Sequence, residues 1–525
     1  MTKKDIENKR KTLQITLDSL KTQKERNVLG QFSTPYRLAN DILIKAKQFL
    51  PKKKNIKFLD PAIGTGVFFS ALLNNFPENR LERAVGFEID NHYGLPSMEL
   101  WKYKNLEYKI EDFSINQFPS NDKEKFNLIV CNPPYVRHHH INGQKQFLKE
   151  KAFNAINQNI SSLAGLYCYF IAFAHRWMTP NGIGIWLVPS EFMDVNYGKS
   201  LKKYFTSEVT LIQVHRFDPD DLQFKDALVT SSVLIIKNSP PPKNHLIQLT
   251  FGADLNKPQL SKTYSNEELK LENKWTRFPF NEIRSSKPYS KLKDFFKIKR
   301  GIATGDNSFF ILSKVDAISR NIPFQFLRPI LPSPRHISTQ IINADENGNP
   351  EIDKKLFVLD CNLPIEVIEK KYPSLFKYLE EGVSRKVTER YICRNRKIWY
   401  SQENREVSDF YFTYIGRSSN GQNSFRFILN NSNSIVNNSY LMLYPNEELK
   451  AIIKDNEEVK KNLLTVLNEM TQHEFIEQGR VYGGGMRKFE PKELSNVNSE
   501  LISKFVERNS VHHNKEPNSN NSSLM

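Results

Sequence analysis

Between residues 56 and 240, short apolar runs alternate with longer segments whose apolar positions recur at helical spacing. Short apolar runs bounded by turn residues are typical of buried strands, and the segments between them are typical of helices that cover a sheet. The pattern predicts helices over 67–74 and 167–177, and strands over 56–60, 84–88, 106–110, 126–131, 182–188, 211–217 and 231–237. Strands that alternate with helices in this way predict an α/β fold, a doubly wound sheet with mostly parallel strands.

An excess of basic residues adds a polyanionic partner to this picture. The 525 residues include 75 Lys and Arg against 58 Asp and Glu, a formal net charge of +17. Such an excess favours a nucleic acid partner, and a solvated, lysine-rich surface is the alternative. Cysteine usage predicts neither a zinc site nor a disulfide framework, because no Cys-x-x-Cys pair occurs among Cys131, Cys168, Cys361 and Cys393. The sequence has no apolar signal core and no run of about 18 apolar residues, so we expect a cytoplasmic protein without a membrane span.

The segments on both sides of the alternating region set the expected domain boundaries. Residues 1–29 are basic, and apolar residues at positions 13, 15, 17 and 20 predict an amphipathic helix that either packs on the protein or contacts nucleic acid. The run Ser239-Pro240-Pro241-Pro242 is typical of the start of a linker. We therefore expect a helical arm at 1–29, the α/β domain at 30–245, a linker at 246–274, a second domain of mixed α/β type at 275–507 and a disordered tail at 508–525.

Loops at the carboxyl ends of the first three predicted strands carry residues that suit an adenosine ligand. In Asp60-Pro61-Ala62-Ile63-Gly64-Thr65-Gly66, the two glycines allow a tight turn and a close approach to a ligand. Glu88 ends the second strand, where a carboxylate can accept hydrogen bonds from ribose hydroxyls. After the third strand, Asp112 can accept from an adenine amine and Phe113 can stack on the ring. Each feature alone also fits an ordinary loop, but together, and with no Gly-Lys-Ser/Thr phosphate loop, they favour S-adenosylmethionine over NAD or ATP.

The fourth predicted strand is followed by Asn132-Pro133-Pro134-Tyr135. Prolines have no amide N–H, so backbone carbonyls here are free to accept, and Asn132 adds a side-chain acceptor next to the aromatic ring of Tyr135. A planar exocyclic amine is a poor nucleophile because its lone pair is delocalised into the ring. Two acceptors on its two N–H groups would favour a pyramidal nitrogen that can attack a sulfonium methyl in line. The tetrapeptide thus predicts methyl transfer to an exocyclic amine, and a proline-rich turn is the alternative.

Taken in order, these segments resemble those of gamma-class adenine-N6 DNA methyltransferases of type II restriction-modification systems. The resemblance covers about residues 25–240 and includes Gly30-Gln31-Phe32-Ser33-Thr34-Pro35 in front of the first strand. It implies a Rossmann-like methyltransferase sheet followed by a target-recognition domain. It also implies a bacterial, monomeric enzyme that uses S-adenosylmethionine and no metal. Such an enzyme methylates N6 of an adenine flipped out of double-stranded DNA, and so protects host DNA from a cognate restriction endonuclease.

The resemblance also implies a role for each matched position. Thr34 would close over the methionine part of the cofactor, and Asp60, Ala62, Gly64 and Gly66 would surround its amino-acid end. Glu88 would hold the ribose, and Asp112 and Phe113 would hold the adenine. The target amine would contact Asn132, which also borders the cofactor, and the carbonyl of Pro133, while Pro134 and Tyr135 complete the loop beside the flipped base. Phe224 is the candidate for stacking on the other face of that base, and Phe217 is the competing candidate.

Candidate DNA contacts in the second domain are groups of cations and aromatics. They are the segment Lys297–Asn307, the cations Arg390, Arg394, Arg396 and Lys397 near Tyr391, Trp399 and Tyr400, and the segment Arg480–Lys488. A solvated surface charge is the alternative for each arginine. We interpret His138-His139-His140 as a loop or a phosphate contact, because no carboxylate or cysteine is spaced to complete a metal site.

Three other functions stay open at this point. The same loop chemistry could methylate cytosine N4, although Ser in place of Asn132 is more frequent in enzymes of that kind. It could also act on an amide of protein or on ribosomal RNA. The chain could instead be a DNA-binding protein that has lost catalysis, an alternative that the intact Asn132–Tyr135 segment disfavours.

Overall fold

Two compact units make up the chain. The computed structural model describes residues 2–141, 143–218, 223, 230–277, 290–413, 415–417, 425–470, 480–481 and 486–513. The first unit comprises residues 1–284 and 481–485, and the second comprises 285–480 and 486–525. No helix within the described ranges is long and apolar enough to cross a membrane.

The first unit is built on a nine-stranded sheet with the order β3-β2-β1-β4-β5-β7-β6-β8-β9. Neighbouring strands from β1 to β5 are parallel, and β7 runs antiparallel to β5 and β6. This arrangement confirms the predicted doubly wound α/β fold. The strands are β1 Ile56–Asp60, β2 Leu81–Glu88, β3 Glu107–Ile110, β4 Phe126–Cys131, β5 Met178–Pro189, β6 Thr210–Arg216, β7 Ser231–Lys237, β8 Leu246–Phe251 and β9 Leu260–Ser265.

Helices pack on both faces of this sheet because side chains along each strand point alternately to opposite faces. In β4, Leu128 and Val130 belong to one buried cluster, and Ile129 and Cys131 belong to the other. The first of these clusters includes α3 and α4, and the second includes α6, α7 and α8. The helices are α1 Lys3–Ser19, α2 Gln23–Val28, α3 Tyr36–Phe49, α4 Val67–Asn75, α5 Asn91–Trp101, α6 Lys145–Ile156, α7 Leu166–His175, α8 Lys199–Ser207 and α9 Asn266–Leu271.

The N-terminal arm is helical, as predicted, but its buried face differs from the predicted one. Helix α1 begins at a capping box formed by Thr2 and Asp5. Its buried residues are Ile6, Arg10 and Leu17. Ile15 and Leu20, which were expected on the packed face, are 61% and 69% exposed. Leu17 of the predicted apolar stripe is buried, and the pattern did not indicate Arg10, a buried cation of the same helix.

The expectation of a linker at 246–274 is wrong. Residues Leu246–Phe251 form β8, which pairs in parallel with β6, and Leu260–Ser265 form β9 at the edge of the same sheet. The physical reason is an alternation within β8: Ile247 and Leu249 are buried in the core, whereas Leu246 is 60% exposed. The proline run before this segment therefore marks a turn between strands of one sheet.

The second unit has an α/β architecture of its own. A five-stranded sheet has the order β10-β18-β15-β17-β13, and a three-stranded antiparallel sheet has the order β11-β14-β12. Strands of this unit are β10 Phe296–Arg300, β11 Ile311–Ser313, β12 Leu327–Ile330, β13 Ile341–Ile342, β14 Leu356–Leu359, β15 Phe410–Thr413, β16 Ile415–Arg417, β17 Phe427–Asn430 and β18 Tyr440–Pro445, and two short strands follow at Arg480–Val481 and Met486–Lys488.

Helices of the second unit flank these sheets and include the end of the described chain. The expected disordered tail from residue 508 is wrong for its first part, because the last helix continues to His513; residues 514–525 lie outside the described ranges. The helices are Leu292–Phe295, Asn307–Phe310, Lys314–Ser319, Ile365–Lys371, Pro373–Ser384, Tyr391–Arg394, Glu447–Ile453, Glu457–Glu469, Pro491–Ser495 and Glu500–His513.

The assignment of β8 to the core gives a test with a matched control in the same strand. Ile247→Ala removes a fully buried side chain, so we expect it to lower the free energy of unfolding by about 2–5 kcal/mol. Leu246→Ala removes an exposed side chain of similar size, and we expect a change of at most about 0.5 kcal/mol. Thermal unfolding of both variants measures the difference. Equal, small effects would mean that this segment is not part of the core.

Candidate active site

A cavity of about 410 Å³ lies at the edge of the sheet where the parallel strands β1 to β4 end. Ligands of open α/β sheets bind at this edge, and the volume suits a small molecule. Seven of the predicted site residues line the cavity, namely Ala62, Gly64, Glu88, Asp112, Phe113, Asn132 and Pro134. Five others are buried or half-buried and are not among the lining residues, namely Thr34, Asp60, Gly66, Pro133 and Tyr135. The structure therefore brings together residues that are separated by up to about one hundred positions in the sequence.

The two glycines of the loop after β1 have different roles. Both have positive φ angles, +53° at Gly64 and +87° at Gly66. A Cβ atom at Gly64 would meet nothing within 4 Å, so this glycine leaves space at the cavity wall. A Cβ atom at Gly66 would lie 2.5 Å from Nε1 of Trp101, which donates a hydrogen bond to the Thr65 carbonyl at 2.9 Å. Gly66 thus shapes the loop through packing and lies behind the cavity.

Asp60 ends β1 as a fully buried carboxyl group. Its Oδ1 accepts from the amide of Ala62 at 3.1 Å, and the thiol of Cys131 forms a further hydrogen bond with the carboxyl group. Burial raises the pKa of Asp60 to about 8, and the negative charge of Glu88 contributes in the same direction.

Glu88 connects the loops that follow β1 and β2. Its Oε2 accepts from the amide of Gly64 at 3.1 Å, and its Oε1 accepts from the amide of Asp90 at 2.9 Å. Burial raises the pKa of Glu88 to about 7. Each carboxylate oxygen has a second lone pair, so Glu88 can hold both loops and still accept from two ligand hydroxyls.

The loop after β3 is held from outside by a lysine. Asp112 accepts from the amide of Ser114 at 2.8 Å through Oδ1. Lys151 donates to the carbonyls of Ser114 at 2.6 Å and Asn116 at 2.5 Å, and burial lowers its pKa to about 8. Phe113 is 2% exposed, so its ring is part of the core, and the residue also lines the cavity.

Sequence reasoning missed Ile89, which also lines the cavity. Its side chain is 57% exposed, although it follows directly after the buried Glu88. A large apolar side chain left exposed at a cavity offers a surface for a planar ring. The feature of the sequence that could have indicated Ile89 is its position in a loop, directly after Glu88, the predicted ribose-binding residue.

The amide of Asn132 has a fixed orientation. Its Nδ2 donates to the carbonyl of Phe32 at 3.1 Å and to Oγ1 of Thr34 at 3.0 Å. A carbonyl can only accept, so the nitrogen must be the atom that faces Phe32. The Oδ1 atom is left buried, with no hydrogen-bond partner in the part of the chain that the structure describes. The loop at 30–35 therefore orients Asn132, a function that the sequence did not indicate for Thr34.

Tyr135 is half-buried and tied into the fold on two sides. Its hydroxyl donates to the carbonyl of Leu187 at 3.1 Å, and its ring lies 5.7 Å from that of Phe32. Its amide donates to the carbonyl of Gly30 at 3.2 Å. Gly30 has φ +64°, and a Cβ atom there would lie 2.4 Å from that same amide nitrogen. Glycine at position 30 therefore allows the two loops to approach each other.

The remaining candidates of the first unit differ in what the structure says of them. Phe224 lies outside the described residues, so its expected role stays a prediction. Its competitor Phe217 is 2% exposed and packs on His215 in the core, which removes it as a stacking residue. His140 lines the cavity. Among the described residues, no group of three His, Cys, Asp or Glu side chains is placed to hold a metal ion.

Candidate cations of the second unit fall into two groups. Arg396 is bound internally, because it donates to the carbonyls of Ala303 at 2.7 Å and Thr304 at 3.0 Å. By contrast, Arg394 and Lys397 are exposed, and Tyr391 is 76% exposed. In the predicted segment Arg480–Lys488, residues 482–485 lie outside the described residues, and the others form two short strands.

Comparison with known proteins gives two family matches that follow each other along the chain. Residues 35–223 match the model of the Eco57I restriction-modification methylase, and residues 269–519 match the C-terminal domain of the type II methyltransferase M.Eco57I. The chain is also similar to two type II methyltransferases over most of its length. It is 27% identical to M.AccI of Acinetobacter calcoaceticus, with 90% of this chain and 85% of that protein covered. It is 24% identical to M.XamI of Xanthomonas campestris pv. amaranthicola, with 84% and 80% covered.

Among solved structures, the chain resembles the type IIL restriction-modification enzyme MmeI in complex with DNA. The identity is 14%, the TM-score is 0.49, and 98% of this chain and 76% of that one are covered. The fold assignment rests on the strand order of the nine-stranded sheet and takes no support from this similarity.

The raised pKa of Asp60 predicts a pH dependence of stability. In the unfolded chain this carboxyl loses its proton near pH 4, but in the folded protein it keeps the proton up to about pH 8. The folded state therefore binds more protons across this window, and the contribution of Asp60 to stability falls as the pH rises through it. Asp60→Asn cannot ionise at this position. We therefore expect the melting temperature of the variant minus that of wild type to be higher at about pH 8.5 than at about pH 5.5.

Calorimetry of both proteins at both pH values measures this shift. Glu99→Gln, at an exposed carboxylate of α5, serves as the control and should show no such shift. A difference between wild type and Asp60→Asn that stays constant with pH would contradict the prediction.

Proposed function

Since the chain belongs to the type II DNA methyltransferases of restriction-modification systems, we propose that it transfers a methyl group from S-adenosylmethionine to N6 of an adenine flipped out of duplex DNA. The observation that carries this proposal is the buried, unpartnered Oδ1 of Asn132 beside a cavity that suits an adenosine ligand. The methyl group would protect host DNA from a cognate restriction endonuclease.

The charge of the cavity supports a cationic cofactor. The described residues that line it include the acids Asp18, Glu88, Glu111 and Asp112 and no lysine or arginine, in a chain whose net charge is +17. A ligand with phosphate groups would be repelled by this wall, whereas S-adenosylmethionine carries positive charge on its sulfonium and ammonium groups. The acidic wall therefore favours this cofactor over NAD or ATP.

The residues at the cavity fit the parts of this cofactor. Glu88 would accept from the ribose hydroxyls, and Asp112 would accept from the adenine amine beside the exposed face of Ile89. The buried carboxyl of Asp60 would lie at the amino-acid end of the cofactor. When bound, S-adenosylmethionine supplies an electrophilic methyl group, and no metal is part of the proposal.

Asn132 and the backbone of the loop would activate the target amine. Oδ1 of Asn132 would accept one N–H of adenine N6, and the carbonyl of Pro133 would accept the other. Both acceptors are held before the substrate arrives, because Phe32 and Thr34 fix the amide of Asn132. Two fixed acceptors favour a nitrogen with a localised lone pair, and preorganised dipoles of this kind need no rearrangement during the reaction.

An adenine in a duplex reaches this site only after base flipping, which costs a few kcal/mol. Tyr135 would contact the flipped base, and Phe224 is proposed for its other face. Stacking on aromatic side chains contributes roughly 1–3 kcal/mol per base and would offset that cost. The second unit would read the sequence around the target, with exposed Tyr391, Arg394 and Lys397 as candidate DNA contacts.

Two variants separate chemistry from cofactor binding. Asn132→Ala removes the acceptor for the target amine, so we expect methyl transfer to DNA to fall by at least about 10²-fold while the dissociation constant for S-adenosylmethionine stays within a few-fold. Asp112→Ala removes the acceptor for the cofactor's adenine, so we expect weaker cofactor binding. Transfer of a labelled methyl group and isothermal calorimetry measure the two quantities.

Asn105→Ala, an exposed asparagine before β3, is the matched control and should leave both quantities unchanged. Normal turnover by Asn132→Ala would refute the role of this amide. An unchanged dissociation constant for Asp112→Ala would remove Asp112 from the cofactor site.

A further inference from the structure

Helix α1 lies in front of the segments on which the family assignment rests, yet it forms part of the cavity. The family match to the catalytic region begins at residue 35, after α1 and α2. Nevertheless, Gln14 and Asp18 of α1 line the cavity together with Glu88 and Gly64. One wall of the site is therefore built from a helix with no assigned role.

A buried arginine anchors α1 to the loop after β1. Arg10 is 4% exposed, and its Nη1 donates to Oγ1 of Thr65 at 2.9 Å. Glu7 neutralises this guanidinium through two hydrogen bonds of 2.8 and 2.7 Å and also accepts from the hydroxyl of Ser70 at 2.6 Å. A buried charge that is paired and hydrogen-bonded in this way fixes a helix in one position, because a shift would leave that charge unpaired.

The same network continues to the cavity wall. Thr65 donates its hydroxyl proton to Oε1 of Gln14 at 2.6 Å, which orients the Gln14 amide. Nε2 of Gln14 then donates to Oδ1 of Asp18 at 2.9 Å, and the hydroxyl of Tyr93 donates to the same oxygen at 2.8 Å. Both donors meet Asp18 at Oδ1, so Oδ2 keeps its capacity to accept. The side chain of Asp18 is thereby held in place at the cavity wall.

We propose that Asp18 is a cofactor-binding residue which favours the cationic methyl donor over its neutral thioether product, and that Gln14 is a positioning residue for it. The inference rests on the proposed function and deepens it. The carboxylate of Asp18 adds negative charge to a wall that contains no lysine or arginine among its described residues. S-adenosylmethionine carries one more positive charge than S-adenosylhomocysteine, so a carboxylate stabilises the donor more than the product. Product release and exchange for a new donor then follow from the charge of the wall.

Asp18→Asn tests this charge effect with little change in shape, because the amide keeps an oxygen that can accept from Gln14 and Tyr93. We expect the dissociation constant for S-adenosylmethionine to rise roughly five- to tenfold and that for S-adenosylhomocysteine to change less than about twofold. Gln14→Ala frees the carboxylate from one of its two donors, and we expect a smaller loss of the same preference. Calorimetry with both compounds on the full chain measures the ratio of the two constants.

Two control variants distinguish a general structural effect of substitution from an effect on cofactor recognition. Glu99→Gln removes an exposed carboxylate of α5, and Thr12→Ala replaces an exposed side chain of α1; both should bind like wild type. Melting temperatures without ligand establish that every variant is folded. Unchanged constants for Asp18→Asn, or equal weakening for both compounds, would overturn the inference.

The wild-type protein separates this inference from the proposal on which it rests. If wild type binds S-adenosylmethionine and Asp18→Asn keeps the wild-type preference, the inference alone is wrong. If wild type binds neither compound, the proposed function fails and the inference fails with it.

Discussion

The two hydrogen bonds that hold the amide nitrogen of Asn132 determine how the rest of the site is arranged. They leave the amide oxygen buried with no donor among the described residues, and an acceptor in that state costs about 1–3 kcal/mol. The protein can hold it because hydrophobic clusters on both faces of the sheet fix the strand that precedes it, and because Gly30 lets the loop at 30–35 approach closely. A target amine that donates to this oxygen removes that penalty. The free energy that the unpaired acceptor costs in the free protein then contributes to binding of the target base.

The net charge of the whole chain and the charge of the described cavity wall have opposite signs. The whole chain is basic, which attracts a polyanion, whereas the described wall of the cavity is acidic, which attracts a small cation. The buried carboxyls of Asp60 and Glu88 have raised pKa values because they are removed from water, so a cationic ligand would stabilise their ionised forms. The same protein can thus hold two partners of opposite charge without competition between them.

Much of the fold and of the candidate site follows from the sequence, because short buried strands and the loops that follow them are determined by local sequence. The predicted bounds of β1, β4 and β7 agree with the structure, and the loops that follow β1 and β4 supply part of the cavity wall. Contacts between distant segments could not be predicted in this way. Hydrophobic periodicity did not show that β8, which follows a proline run, pairs with β6 of the large sheet. It also did not show that Thr34 orients Asn132. It also missed Asp18, because a buried arginine holds α1 where an apolar stripe was expected.

The identity of the methylated base tests the account most directly. Purified protein is incubated with labelled S-adenosylmethionine and mixed genomic DNA, which is then digested to nucleosides and analysed by mass spectrometry. Two acceptors fixed beside the exocyclic amine of a flipped adenine predict label in N6-methyldeoxyadenosine, and at least about 10²-fold less label with the Asn132→Ala protein. Label in N4-methyldeoxycytidine would contradict the choice of base, and no label in DNA would contradict the proposed reaction as a whole.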